Sequence, residues 1–207
     1  ADAGKVSSGV PEYLIGKLQA RNIGHMDKNG FYLFQVPGMQ YAMRPRVKYA
    51  DGREAFFQEE PTNDFYFAEI DGKGLAIFIG TEPNLEVEKY ANALLDGAEE
   101  LHVKRIVMPA GVGAPVPFDR DRRISSIYSM PHMKAELEKF PVRFSDYGTR
   151  MPEETATATI CMVINHYAIK RGMEFVRLSA VLDLLFRTDL AYLSRLMEAE
   201  KEAKKVA

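Results

Sequence analysis

The chain has 207 residues, of which 46% are hydrophobic and 27% are charged, and its formal net charge is −2. These values are ordinary for a globular domain with a full apolar core, and they argue against extensive disorder. A nearly neutral chain without a basic face is not built to neutralise phosphates, so we expect no binding to nucleic acid.

Cysteine usage and hydropathy indicate where the protein resides. The single cysteine, Cys161, cannot form an intrachain disulfide, which is typical of a reducing compartment. The longest purely aliphatic and aromatic run covers residues 75–79 and is far too short to cross a bilayer. We therefore expect a cytoplasmic protein without membrane contact. Residues 1–10 are small and polar, and we expect a disordered or artificial N-terminal segment before a single domain over residues 11–207.

Two Asp-Gly pairs mark hairpins in the first half of the chain. Asp51-Gly52 separates the extended segments 46–49 and 55–58, and a second Asp-Gly pair separates segments 65–70 and 75–79. Both central positions of the tight turn favour a positive φ, which Asp and Gly tolerate, so each pair predicts an antiparallel hairpin. Two further elements are predicted ahead of them: a helix over residues 11–24, closed by Gly24, and a strand over residues 31–36.

Strands and helices alternate in the rest of the chain. Predicted strands cover residues 75–79, 105–108, 124–130 and 174–180, and predicted helices cover residues 86–101, 133–140, 152–171 and 182–205. Pro109 is expected to stop the second of these strands, and Gly172 to close the third helix. This alternation predicts an α/β fold of three αβα layers, with a mainly parallel sheet and an antiparallel hairpin edge.

Ligands of parallel sheets bind beyond the carboxyl ends of the strands, and three segments of this chain are predicted to lie there. They supply carboxylate, amide, guanidinium and phenol groups, together with glycines that let a backbone approach a ligand. The candidate ligand-binding residues are Glu82, Asn84, Gly111, Gly113, Asp119, Arg120 and Tyr147. The alternative interpretation is that these residues only shape turns and cap helices.

No catalytic or metal-binding pattern is present. Cys161 lies on the predicted buried face of a helix, where a thiol packs well and its pKa is not lowered. The four histidines lack ligand spacing, and no phosphate-binding glycine loop or nucleophile elbow is found. We therefore expect no catalytic centre, metal or cofactor.

Apolar residues in two segments are candidates for contacts with another protein. One group lies near the Pro37-Gly38 turn, where methionine and tyrosine are well suited to a partner surface. The other follows the apolar stripe of the predicted last helix. The candidate interface residues are Met39, Tyr41, Met43, Phe186, Leu193 and Met197. In each group the same residues can instead cover the protein's own sheet.

The order of several short motifs resembles the proteasome assembly chaperone family of the second type. Arg44-Pro45-Arg46-Val47 precedes the first Asp-Gly turn, and segment 80–84 looks like the family's strand-end Gly-Glu-Pro segment with Thr81 inserted. A glycine loop over residues 111–117 and a Tyr-Gly pair before the long helix follow in the family's order. The resemblance implies a fold similar to nucleoside phosphorylases, in proteins that bind other proteins and associate with themselves.

Two functions follow from these observations. The first is a non-enzymatic, assembly-chaperone-like module that forms a homo-oligomer and binds a protein such as a proteasome subunit. The second is a small-molecule hydrolase or a phosphorylase-like enzyme that uses the strand-end crevice. In this second function Glu82 contacts a ribose hydroxyl or acts as a base, Arg120 holds an anion, and Tyr147 stacks on a ring.

Overall fold

The structure is a computed structural model that describes residues 3–33, 46–58, 61–114, 124–145 and 159–183. A 3₁₀ turn over Ala3–Lys5 precedes the first helix. The helices of the described residues are α1 (Val6–Leu18), α2 (Val87–Glu100), α3 (Met133–Leu137) and α4 (Ile160–Arg171). The strands are β1 (Arg21–His25), β2 (Arg46–Ala50), β3 (Arg53–Gln58), β4 (Asn63–Ile70), β5 (Lys73–Gly80), β6 (Arg105–Ala114), β7 (Ile124–Tyr128), β8 (Val142–Phe144) and β9 (Glu174–Asp183).

The strands form three sheets, and the α/β class is confirmed. One sheet is antiparallel, in the order β1-β4-β5, and β2 and β3 pair only with each other. The third sheet has the order β6-β9-β7-β8, with β9 parallel to β6 and antiparallel to β7. Parallel pairing is thus confined to this third sheet, so antiparallel pairing is more extensive in the described residues than the alternation of elements suggested.

Both Asp-Gly hairpins are confirmed. Asp51 and Gly52 join β2 to β3 with φ angles of 50° and 74°. Asp71 and Gly72 join β4 to β5 with φ angles of 50° and 73°. All four residues adopt the left-handed conformation that a two-residue hairpin turn requires, which explains why this local motif identified both turns.

Helices cover both faces of the four-stranded sheet. On one face α2 and α4 enclose the buried side chains Ala91, Leu95, Ile164, Ala168 and Phe175. On the other face Met133 and Leu137 of α3 pack against Val176. Because Phe175 and Val176 are neighbours in β9, their side chains point to opposite faces, and this sheet is therefore the middle of three layers.

The predicted helix over residues 11–24 is displaced. Helix α1 covers Val6–Leu18, so it includes residues 6–10, which were predicted to precede the domain. It ends at Gln19, which adopts a left-handed conformation and donates its backbone N–H to the carbonyl of Ile15. Gly24 lies in β1 instead of closing the helix, because a non-glycine residue already forms the left-handed cap.

Three further boundaries were wrong. Phe31 lies in a turn and not in a strand, and residues 34–36 are outside the described residues. Strand β6 continues through Pro109 to Ala114 because β9 is its one partner among the described residues, so proline's missing N–H leaves that ladder intact. The predicted helix from residue 182 is wrong at its start, since β9 extends to Asp183 and residues 184–207 are not described.

The long helix also begins later than predicted. Thr159 is extended, with a φ of −78° and a ψ of 164°, so α4 begins at Ile160 instead of residue 152. Gly172 ends it in the left-handed conformation, as predicted. Residues 152–158 lie outside the described residues.

An arginine at the start of β6 joins three elements. The Arg105 guanidinium donates hydrogen bonds of 2.7 and 2.8 Å to Glu136 of α3 and one of 2.7 Å to Glu174 of β9. His132 Nε2 lies 2.7 Å from the other carboxylate oxygen of Glu174. Hydrogen bonds from Arg105 lower the pKa of Glu136, and those from His132 and then Arg105 lower the pKa of Glu174.

This network predicts a pH dependence of stability. Carboxyls with a lower pKa in the folded chain stabilise it fully above their unfolded pKa of about 4.3, and this stabilisation is lost as the pH falls through the folded pKa. We expect Arg105→Met to lower the free energy of unfolding at neutral pH by about 1 kcal/mol. Urea titrations at neutral pH and at about pH 3 should show that the variant loses less stability on acidification than the wild type. Lys104→Met, at an exposed neighbour, is the control, and an equal loss in both variants would contradict the assignment.

Candidate functional site

Hydrogen bonds connect the strand-end segment 80–84 to Thr62, just before β4, and to the turn at residues 31–33. Thr81 N–H donates to the carbonyl of Thr62 over 2.7 Å, and Thr62 N–H donates to Thr81 Oγ1 over 3.1 Å. Asn84 N–H donates to the carbonyl of Phe31, and the Asn84 side-chain oxygen accepts a 2.7 Å hydrogen bond from Leu33 N–H. The amide oxygen of Asn84 therefore holds the preceding turn, and its candidate role in ligand binding stays a prediction.

Two tyrosine hydroxyls meet behind this segment. Tyr32 Oη lies 2.8 Å from both Asn63 Oδ1 and the carbonyl oxygen of Thr81. Tyr90 Oη lies 3.1 and 3.2 Å from the same two acceptors. The aromatic ring of Phe31 packs edge-on against Tyr90, with 5.3 Å between ring centroids. These residues close the strand-end turn with a polar cluster in which Asn63 and Tyr90 are buried, and which we call the tyrosine cluster (Tyr32, Asn63, Thr81 and Tyr90).

Burial determines the protonation of this cluster. Desolvation raises the pKa of Tyr90, and the nearby Tyr32 and the charge of Glu82 raise it further. Desolvation also raises the pKa of Tyr32. Both phenols are therefore protonated at neutral pH, so they act as hydrogen-bond donors and not as bases or nucleophiles. The side-chain nitrogen of Asn63, which is fully buried, has no hydrogen-bond partner.

Glycine leaves room for two neighbouring side chains at the last residue of β5. A Cβ atom on Gly80 would overlap the hydroxyl of Tyr90 and the ring of Phe78. The turn therefore packs directly against the tyrosine cluster, while the carboxylate of Glu82 remains exposed to solvent. Glu82 is the described residue of this segment that is free to meet a ligand or partner.

The remaining candidate ligand residues do not join Glu82 in a described site. Gly111 and Gly113 lie within β6, where they pair with Ala180 and Leu182 of β9. They therefore lie in a strand and not in a loop, because the ladder continues past Pro109, and their part in ligand binding stays a prediction. Asp119, Arg120 and Tyr147 lie outside the described residues.

The one thiol of the chain is buried. Cys161 is 1% exposed, which confirms its place on the buried face of the helix. Within the ranges that the structure describes, no group of three or more histidine, cysteine, aspartate or glutamate side chains is arranged to hold a metal ion. None of the described helices combines the length and the apolar character needed to span a membrane.

The β2–β3 hairpin is separate from the other described sheets. Its strands pair with each other and with no other described strand, and we call this hairpin, residues 46–58, the arm. Tyr49, near its tip, is 70% exposed. The candidate interface residues that precede this arm, together with those of the C-terminal segment, lie outside the described residues: Met39, Tyr41, Met43, Phe186, Leu193 and Met197.

Comparison with known proteins decides the family. The family model described as the PAC2 family matches residues 1–199. The chain belongs to the PAC2 family. The resemblance to proteasome assembly chaperones of the second type is thereby confirmed. A search of curated proteins finds no match to the sequence.

Solved structures of PAC2 proteins share this fold. A proteasome-assembly chaperone homologue of Mycobacterium tuberculosis is similar with a TM-score of 0.73 and 19% identity, over 97% of this chain and 81% of that one. A PAC2 family protein of Streptomyces avermitilis gives a TM-score of 0.70 and 20% identity, with the same coverage. An archaeal proteasome activator of Pyrococcus furiosus gives a TM-score of 0.58 and 18% identity, over 83% of this chain and 68% of that one. At these identities the likeness shows a common fold.

Proposed function

We propose that this PAC2 protein is a non-enzymatic, assembly-chaperone-like module that associates with itself and binds a proteasome subunit in the cytoplasm. The observation that carries the proposal is the family match over residues 1–199. The solved structures described as a proteasome-assembly chaperone homologue and as an archaeal proteasome activator support it. They suggest the class of partner, because both descriptions name the proteasome.

The arm formed by β2 and β3 is the proposed contact surface among the described residues. A two-stranded hairpin is only marginally stable in water, so a surface that packs against it stabilises it. Tyrosine is enriched at the centres of protein interfaces, where its ring buries a large area and its hydroxyl finds a partner. Tyr49 is 70% exposed and is available for such a contact. We propose that Met39, Tyr41 and Met43, which precede the arm in the sequence, extend the same surface.

The geometry gives no specific support to an enzyme that uses the strand-end crevice. Asn84 is engaged by a backbone N–H, and both glycines expected in the crevice lie in β6. The phenols nearest to the segment are held protonated by burial. Protein binding therefore remains the function that we propose.

Self-association can be tested with a substitution at the tip of the arm. We expect Tyr49→Asp to raise the dissociation constant between subunits by about tenfold or more, because a buried charge replaces an aromatic contact. Sedimentation velocity over a range of protein concentrations measures this constant. Tyr13→Asp is the matched control, since Tyr13 is 63% exposed but lies on α1, outside the arm.

Two results would contradict this part of the proposal. The first is a wild-type protein that stays monomeric at every concentration tested. The second is an equal weakening of the oligomer by both tyrosine substitutions, since an acidic surface residue would then act without regard to its position. Circular dichroism of each variant establishes that the fold is retained.

A further inference from the structure

Two long strand edges lack a partner among the described residues. Strand β5 is the last strand on one side of the antiparallel sheet, and β6 is the last strand on one side of the four-stranded sheet. No backbone hydrogen bond joins the outer edge of either strand to another described residue. Val107 of β6 is 55% exposed. A long apolar edge that is left open in this way is a template for a further strand.

The same two helices cover both of these edges. Helix α2 lies on β4, because a Cβ atom on Gly97 would be 3.0 Å from the ring of Phe65. Leu95 of the same helix shares a core cluster with Phe175 of β9, and Met108 of β6 packs against that cluster. Helix α1 contacts β4, β5 and β6 and is not part of the cluster, so it covers the opposite face. Both helices therefore bridge the space between β5 and β6, which we call the strand gap.

Burial along α1 indicates that apolar side chains belong in the strand gap. A helix that lies on a filled sheet buries an apolar stripe. None of the 13 residues of α1 is buried, although the helix contacts three strands. Its apolar residues Leu14, Ile15 and Leu18 are only half-buried. An apolar strand between β5 and β6 would give these side chains the layer that they lack.

The backbone and the charges around the strand gap fit one extended segment. A single helix, α2, connects β5 to β6, so the two strands run in the same direction. Because the ladder to β9 continues through Pro109, the backbone nitrogen of Pro109 faces away from β9. Side alternation then directs the N–H and C=O of Val107 into the gap. Lys73 begins β5 and Lys104 precedes β6, so two exposed ammonium groups lie at the amino end of the gap and favour a carboxylate there.

We propose that the strand gap binds an extended apolar segment of a partner protein, which adds as a strand between β5 and β6. In strand addition the main-chain hydrogen bonds supply affinity, and the side-chain surroundings supply specificity. Because helices cover both faces of the gap, the segment is apolar on both of its faces and runs parallel to its neighbours. An acidic residue at its amino end meets Lys73 and Lys104. This site is separate from the arm and does not depend on the proposed function.

Amide hydrogen exchange of the full chain with a synthetic peptide tests the site. The peptide consists of valine and isoleucine, with glutamates at its amino end and lysines at its carboxyl end. We expect the exchange of the Val107 N–H, followed by NMR, to slow by about a hundredfold at a peptide concentration near one hundred times Kd. The control peptide has the same sequence with alternate residues N-methylated, which keeps the side chains and removes backbone donors. It should leave the exchange unchanged.

A matched pair of variants locates the bound peptide. Val107→Asp should raise the Kd of the labelled peptide, measured by fluorescence anisotropy, by about tenfold or more. Ile169→Asp, at a residue of α4 that is 47% exposed, should leave this Kd unchanged. Unchanged exchange of the Val107 N–H, equal binding of the methylated peptide, or an equal loss in both variants would each overturn the proposal. Should Val107→Asp fail to fold, the comparison of the two peptides on the wild type decides.

Discussion

Phe175→Ala is expected to lower the free energy of unfolding by about 3 to 5 kcal/mol, the largest effect of any substitution considered. Phe175 is 0% exposed and packs between α2 and α4 on the four-stranded sheet. Removing its ring takes away apolar contacts and leaves a cavity among residues that can relax only in part. A loss of this size is a large fraction of the total stability of a domain, which is about 5 to 15 kcal/mol.

Urea titration followed by circular dichroism measures this loss. Phe140→Ala is the matched control, because Phe140 is 57% exposed and the same atoms are removed there from a position largely in water. We expect the control to change the free energy of unfolding by about 0.5 kcal/mol or less. Similar losses in the two variants would show that Phe175 does not lie at the centre of the core.

Gly80→Ala should lower the free energy of unfolding by about 1 to 3 kcal/mol. The added methyl group would overlap the hydroxyl of Tyr90 and the ring of Phe78. Tyr90 cannot swing aside freely, because it is 3% exposed and its hydroxyl is hydrogen-bonded within the tyrosine cluster. The strain therefore acts on the segment that resembles the family's Gly-Glu-Pro motif.

Gly16→Ala is the control for this substitution. An added Cβ on Gly16 meets nothing within 4 Å, and Gly16 lies in α1. Alanine is the better helix former, so this variant should gain about 0.5 to 1 kcal/mol. Chemical denaturation compares the two variants directly. A neutral result for Gly80→Ala would mean that the tyrosine cluster moves aside and does not lock the turn.

Short sequence motifs correctly predicted the turns whose conformation depends mainly on the residues next to them in the chain. The two Asp-Gly turns and Gly172 were predicted correctly because a left-handed backbone has a clear residue preference. The prediction that Pro109 ends its strand was wrong. A missing N–H interrupts a strand only if a partner strand lies on the side to which that N–H would point, and this depends on the whole sheet. Strand β8 was not predicted, since three residues are too few to show a periodic pattern.

The tyrosine cluster and the burial of Arg177 could not be predicted for a different reason. Tyr32 and Tyr90 are 31 and 27 residues from Asn63, and only the fold brings the three side chains together. Arg177 lies in a segment that the sequence correctly predicts as a strand, but no local pattern indicates that an arginine there is buried. The order of short motifs within residues 11–180 was enough for the resemblance to the family, because such motifs do not depend on these contacts.

We propose that this PAC2 protein binds a proteasome subunit through a surface that includes the arm. Native mass spectrometry of the tagged protein, isolated gently from its own cells, tests this claim most directly. The predicted result is a homo-oligomer that holds a proteasome subunit in a defined ratio. We expect this complex to be lost with Tyr49→Asp and kept with Tyr13→Asp. A protein that retains a small molecule and no protein partner would contradict the claim and favour a ligand-binding function.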